Sequence, residues 1–312
     1  MKTHKSDRRK FCKQIVALGV GLGAAHAATG QNPQTQPAVK TRGGGSPDIP
    51  LEVLFLGTGS PGLDLNERRG GACEIIFAHG EPLLFDLGHL GLANLAQAGV
   101  HPADIQRLFF THTYHYDHFS DFDGFVMTRT LQRGSAPLQV YGPADTADRI
   151  NLVLRQVYAE DIRAQNLVRQ DTVTVHHVDS GVAVQTPKWT VTTVHVKHGP
   201  NALGYRIDAG DKSITISGDI AEAQAGPGRR IAGFPCESIE KLASGTDLFI
   251  MDACPMHSSP EEIGAAAARA KPGKVVLTHV RDTASARACR KVVQEAFSGE
   301  VVIAENLMRI RV

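Results

Sequence analysis

Short apolar, β-rich runs alternate with stretches of helical periodicity along this chain, and they fall into two successive sets. In the first set, residues 51–56, 73–78, 83–86 and 107–111 read as strands, with helical patterns over 90–98, 119–133 and 144–160. The second set has strands at 171–178, 190–196, 203–208, 213–217, 247–252 and 274–278, and helices at 260–270 and 284–297. Strands this apolar need cover on both faces. Two sets, each ending in helices, therefore predict an α/β protein of two packed β-sheets with helices on the outside. No repeat of fixed period runs through the sequence.

With 42% hydrophobic and 21% charged residues over 312 positions, the composition excludes a disordered, collagenous or coiled-coil chain. The net charge of +1 averages two unlike parts. Residues 1–28 hold six basic side chains (Lys2, Lys5, Arg8, Arg9, Lys10, Lys13) and one acid, Asp7; the remainder has 27 basic against 31 acidic residues, a net −4. That balance argues against nucleic acid as a partner, because polyanion binding rests on many phosphate contacts. The basic stretch precedes an apolar run at 15–25 and then Ala25-His26-Ala27, which is the order of a signal peptide over residues 1–28. The run falls short of the roughly 20 residues a membrane span needs, so no stable membrane anchor is expected. Arg8-Arg9-Lys10-Phe11-Cys12-Lys13 resembles a twin-arginine export signal, which implies a periplasmic or secreted bacterial protein. Residues 29–50, rich in Gln, Pro, Thr and Gly, read as a flexible linker, and 51–312 as the catalytic domain. Cys73, Cys236, Cys254 and Cys289 show no CxxC spacing and are expected mainly as buried thiols, with one disulfide possible in an oxidising compartment.

The chemistry concentrates where the apolar strand at 107–111 ends. His112, His115, Asp117 and His118 stand there within seven residues. Imidazole and carboxylate donors suit zinc, manganese or iron, and the lack of a neighbouring cysteine argues against a structural thiolate site. Four such donors exceed what one catalytic ion accepts while keeping an open position, so two ions are expected. Further donors end other strands: His198, Asp219 and His279.

Together these pieces resemble the metallo-β-lactamase superfamily, from about Leu51 to His279. The matching stretches are Phe55-Leu56-Gly57-Thr58-Gly59-Ser60-Pro61, Leu84-Phe85-Asp86-Leu87-Gly88, the HxDH core at His115, Asp117 and His118, then His198, Gly218-Asp219 and Thr278-His279. Arg68, the HGPNALGYRI stretch at 198–207 and His257-Ser258-Ser259 are most similar to the ribonuclease Z and arylsulfatase-like branch. The resemblance implies an αββα sandwich and two zinc ions, with manganese or iron as alternatives. It places His115 and His198 on the first ion, Asp117, His118 and His279 on the second, and Asp219 across both. The implied nucleophile is the bridging water, with Asp117 in the catalytic set and His257 as proton donor. The family motif is HxHxDH, and here Thr113 occupies its first histidine position. Read as a one-residue insertion at Thr113 or Tyr114, the loop lets His112 supply that ligand; read without it, the first ion loses one.

Three functions follow. The first is a hydrolase of a small anionic ester, such as an aryl sulfate or phosphodiester, or of a lactone or lactam, with a small-molecule substrate as partner. The second is a transfer-RNA 3′-processing endonuclease, opposed by the leader, the net −4 charge and the mere 21 positions from His198 to Asp219, too few for a long basic arm. The third is a decayed, non-catalytic metal-binding protein. A homo-oligomer is allowed by the sequence but not specified by it. His176, His177 and His195 read as ordinary strand residues, Asp86 as an orienter of a ligand histidine, and His89 as a neighbour of the site.

Overall fold

Residues 51–57 contain no charge except Glu52, and in the structure they form β1 (Leu51–Gly57), buried along its whole length. Antiparallel β2 (Cys73–Ala78) and β3 (Glu81–Phe85) follow, and β4 (Arg107–Phe109), β5 (Leu138–Gly142) and β6 (Val173–His177) add in parallel. The second sheet repeats that plan. Antiparallel β7 (Gly181–Gln185), β8 (Thr190–His195), β9 (Leu203–Ala209) and β10 (Lys212–Ile216) give way to parallel β11 (Leu248–Asp252), β12 (Lys274–Thr278) and β13 (Glu300–Ile303). A last strand, β14 (Arg309–Arg311), returns to pair with β1, so each sheet has seven strands. This computed structural model describes residues 43–62, 66–132, 137–157, 172–199, 201–221 and 233–312. The signal peptide expected at 1–28, and the expected linker as far as residue 42, lie outside them.

Helices cover the outer faces. Beside the first sheet lie α1 (Gly91–Gln97), α2 (Tyr116–Phe119), α3 (Phe122–Leu131) and α4 (Thr146–Asn151); beside the second lie α5 (Glu237–Leu242), α6 (Pro260–Ala270) and α7 (Thr283–Ala296). Three apolar layers result. Leu54, Ile75, Leu84 and Leu108 pack outward against Phe122 and Phe125, Phe249, Val275 and Leu277 pack against Ile263, Ala267 and Val293, and Phe55, Phe85, Phe109, Tyr205 and Ile250 fill the space between the sheets. The chain is thus an αββα sandwich of two mixed sheets, as its strand pattern predicts.

Where elements differ from the sequence reading, side chains explain it. The strand expected over 107–111 stops at Phe109 because the Asp86 carboxylate takes the Thr111 amide at 2.8 Å and its hydroxyl at 2.7 Å. The helix expected over 119–133 is split into α2 and α3 at Asp121, whose carboxylate accepts the Leu92 amide at 3.0 Å. The pattern over 144–160 gives α4 and then a π-helical turn, Leu152–Val157. Gly43–Pro50, expected as linker, lies against the domain: Gly45 sits on the Phe77 ring, and the Gly43 carbonyl accepts from Arg309 at 2.5 Å. Only a residue without Cβ fits at Gly43, where one would stand 2.1 Å from the Ala98 carbonyl oxygen. Cys73, Cys236, Cys254 and Cys289 are buried and unpaired, and among the described residues no helix is long and apolar enough to cross a membrane.

Candidate metal centre

The ends of strands from both sheets deliver the polar groups to one place. Asp86 follows β3 with φ 51°, a left-handed conformation that aspartate tolerates better than most residues. One of its oxygens accepts the Thr111 hydroxyl and faces His118 Nδ1 at 2.8 Å. The Thr111 hydroxyl proton is thereby committed, so His112 Nδ1, 3.1 Å from the same oxygen, is the donor to it. With Nδ1 engaged in both imidazoles, Nε2 is the atom turned inward, the orientation a metal ligand needs. Gly88 clears the way for the ligand loop: a Cβ there would lie 1.9 Å from the Asp117 carbonyl oxygen.

Two groups of donors form. His112 Nε2 and His198 Nε2 each approach His115 Nδ1 at 3.3 Å, and Asp219 Oδ2 lies 3.4 Å from His198 Nε2. In the other, His279 Nε2 is 3.1 Å and His118 Nε2 3.9 Å from Asp117 Oδ2. Asp219 turns its second oxygen, Oδ1, to this group, 3.3 Å from His118 Nε2 and 3.6 Å from His279 Nε2. The ligand atoms of His112, His115, His198 and Asp219 lie within 4.8 Å of one another, as do those of Asp117, His118 and His279. All seven positions singled out by the sequence therefore come together, His112 included. The turn at 57–60 props His279 from behind, with Ser60 N and Val280 N bonded to the Val280 and Thr58 carbonyls at 3.1 and 2.9 Å.

The donor chemistry fits cations. Asp117 Oδ1, His118 Nε2, Asp219 Oδ2 and His279 Nδ1 are buried without an aligned hydrogen-bond partner, an arrangement costing about 1–3 kcal/mol per group unless something else satisfies them. Burial and the neighbouring imidazole of His118 depress His112 well below the usual imidazole range; burial alone leads for His198, pushed down to about 4, and for His115. These three are neutral rings, ready as ligands. In the second group burial opposes charge on His118 and His279, yet the surrounding carboxylates, Asp219 first, with Asp86 for His118 and Asp117 and Asp252 for His279, together outweigh it and raise both well above their ordinary range. The site thus calls for positive charge at that spot, whether from protons or from an ion. A cavity of about 20 Å³ beside His118, Asp219 and His279 has room for one water-sized particle.

His257 stands next to this centre. Its Nδ1 is 2.7 Å from Asp252 Oδ2 and 4.0 Å from Asp219 Oδ2, and its ring lies parallel to His279 at 5.4 Å. Burial works against its cationic form, but the Asp252 carboxylate prevails and holds His257 up at about 9. Asp252 also accepts the amides of Ile220 and Cys254, both at 2.9 Å. Sequence reasoning missed Asp252, although it ends an apolar strand just as Asp219 does. Missed too is Glu74 of β2, buried beside the same cavity, its carboxyl raised to about 8 by burial and by Asp86. The fold also brings the Cys254 thiol to within 4.8 Å of the His257 and His279 ligand atoms.

None of the remaining candidates joins the two ligand groups among the described residues. His195 is exposed and paired with Asp179 at 2.5 Å, and His176 stacks on Tyr141 at the sheet edge. His89 stacks on Tyr116 at 5.6 Å, with both ring nitrogens buried and unpartnered. Arg68 is exposed, while its neighbour Arg69 is the buried one, tying Thr58, Thr283 and the Ala304 carbonyl together at 2.9–3.0 Å.

Residues 85–280 match the family model described as "Beta-lactamase superfamily domain". A protein named Ribonuclease Z from Mycobacterium sp. (strain KMS) is similar, 31% identical over 255 residues, covering 73% of this chain and 84% of the relative. Among solved structures, the metallo-beta-lactamase fold protein YhfI from Bacillus subtilis superposes with TM-score 0.66 at 20% identity, over 85% of this chain and 100% of that one. Human tRNase Z, short form, gives 0.61 at 22% identity, over 83% and 98%. At those identities the two structures speak to the fold alone.

Proposed function

Since the chain belongs to the metallo-β-lactamase superfamily and is a metal-dependent hydrolase, we propose that it is a ribonuclease Z-like phosphodiesterase with two metal ions. The observation that carries this reading is Asp219, whose two oxygens face two separate groups of ligand side chains. His112, His115 and His198 would hold one ion, Asp117, His118 and His279 the other, with Asp219 shared. Zinc suits these donors, and manganese or iron are compatible with them. Two divalent cations bound there supply an acidified water and neutralise charge on phosphoryl oxygens.

The chain's own residues do the rest. His257, kept protonated by Asp252, is placed to give its proton to the leaving alkoxide, the role of a general acid. Asp86 and Thr111 lock the His118 and His112 rings in the ligating tautomer. Asp117 sits in the ligand set beside His279.

The relatives' name supports an RNA phosphodiester as substrate. The 21 positions between His198 and Asp219 and the net −4 charge after residue 28 support a small phosphodiester instead. The basic and apolar leader supports an exported enzyme. A panel of precursor transfer RNA, a bis-aryl phosphodiester, an aryl sulfate, a lactone and a cephalosporin decides among them. Phosphodiester cleavage is expected to dominate; turnover of only the sulfate, lactone or lactam would overturn the proposal.

A further inference from the structure

We propose that Tyr114, in the loop between His112 and His115, is a positioning residue that clamps His198 against these two histidines and sets how tightly the first ion is held. The inference rests on the ligand assignment above. Its hydroxyl donates to the His198 carbonyl at 2.6 Å, a bond that spans the two sheets. Its ring meets three imidazoles: His112 at 4.6 Å, His115 at 4.6 Å and His198 at 5.8 Å, the last nearly parallel.

The partner loop is shaped to receive it. Gly199 has φ 59°, and a Cβ there would lie 2.5 Å from the Tyr114 hydroxyl oxygen and 2.8 Å from Cζ. The chain turns directly over the phenol ring. On the opposite side, the Thr113 hydroxyl donates to Asp145 at 3.1 Å, at the start of α4. Both residues between His112 and His115 are thus anchored, one to each side. The two anchors limit how the ligand loop can move. The phenol reaches only a backbone carbonyl and ring faces, so it acts on the ion through the histidines it holds.

The test compares wild type with Tyr114→Phe, Tyr114→Ala and Gly199→Ala, full length, after stripping and reloading with zinc or cobalt. Zinc affinity is read by competition with a chromogenic chelator, ligand geometry by the cobalt d–d absorption, and folding by the thermal midpoint of the metal-free protein. Tyr114→Phe keeps the ring, so the metal-free midpoint should hold while the affinity for one of two ions falls about 10-fold, the scale of a lost outer partner of a ligand. The cobalt spectrum should change with it, Gly199→Ala should reproduce the effect, and Tyr114→Ala should exceed it. Wild-type affinity for both ions and an unchanged cobalt spectrum in Tyr114→Phe would overturn the clamp. His112→Ala with unchanged zinc content and affinity would instead overturn the ligand assignment, and the clamp with it.

Discussion

Asp219, buried between the two groups, is nonetheless held charged: burial pushes its pKa up, but the imidazoles of His279 and His118 outweigh that and keep it well below the ordinary range. Removing it takes a donor from each group. Asp219→Ala is predicted to lose bound metal and to lower hydrolysis by about 10³-fold or more, as is His118→Ala, measured by metal analysis and steady-state rates. Asp252→Asn is predicted to leave metal content intact and to lower kcat about 10²-fold through His257, within the range for a general acid. Metal loss equal to that of Asp219→Ala would place Asp252 among the ligands instead. His195→Ala, on the surface beside Asp179, should change neither readout. The rule that a His or Asp ending an apolar strand points to a common centre made His198, Asp219 and His279 legible. Asp252 obeys the same rule and passed unnoticed inside a strand prediction. Glu74 was not legible at all, because a lone acid in Cys73-Glu74-Ile75-Ile76-Phe77-Ala78 looks solvent-facing until a second sheet is stacked on it.

At the scale of elements, capping and register place the site. α6 begins with a reciprocal cap, Ser259 accepting from the Glu262 amide and Glu262 from the Ser259 amide, which fixes the approach of His257. α7 begins at Asp282, whose carboxylate accepts the Ser285 amide at 2.7 Å and hydroxyl at 2.6 Å. Those bonds, with Arg281, hold the Asp282 carboxyl well below its ordinary 3.8. A carboxyl depressed by folding stabilises above its unfolded value, and that contribution disappears as pH falls through the folded one. Asp282→Ala should therefore cost about 1 kcal/mol in urea unfolding at neutral pH, towards the low side because the group is partly solvated. The gap to wild type should close as pH drops below 3.8; a gap that widens in acid would refute the cap. Tyr205→Phe leaves the Phe110 carbonyl, now bonded at 2.8 Å, unpaired in the core, and should cost about 1–2 kcal/mol in the same assay. Strands with strong apolar runs, such as β1, β2 and β12, were readable within a residue or so. β7, β13 and β14 were not, since β7 is an exposed edge and the other two are short and gain their order from neighbours.

The described domain is two sheets packed through an apolar layer, with polar groups from both gathered at one edge. His112, His115, Asp117 and His118 come from the first sheet, His198, Asp219 and His279 from the second, so ions bound there tie the layers together. Chelation should lower the thermal midpoint: loss of an ion present at 1,000 times its dissociation constant removes about 4 kcal/mol, or on the order of 10 °C for a domain of this size. An unchanged midpoint would mean that the sheets need no such tie. The layered architecture was legible because both faces of most strands are apolar. The substrate was not, because ligand residues set the reaction while the surface around them selects the molecule that reaches it. The most direct test is metal analysis of the purified protein alongside bis-aryl phosphodiester hydrolysis before and after chelation. The account predicts about two ions per chain and an activity that leaves with them and returns with zinc; full activity in metal-free protein would contradict it.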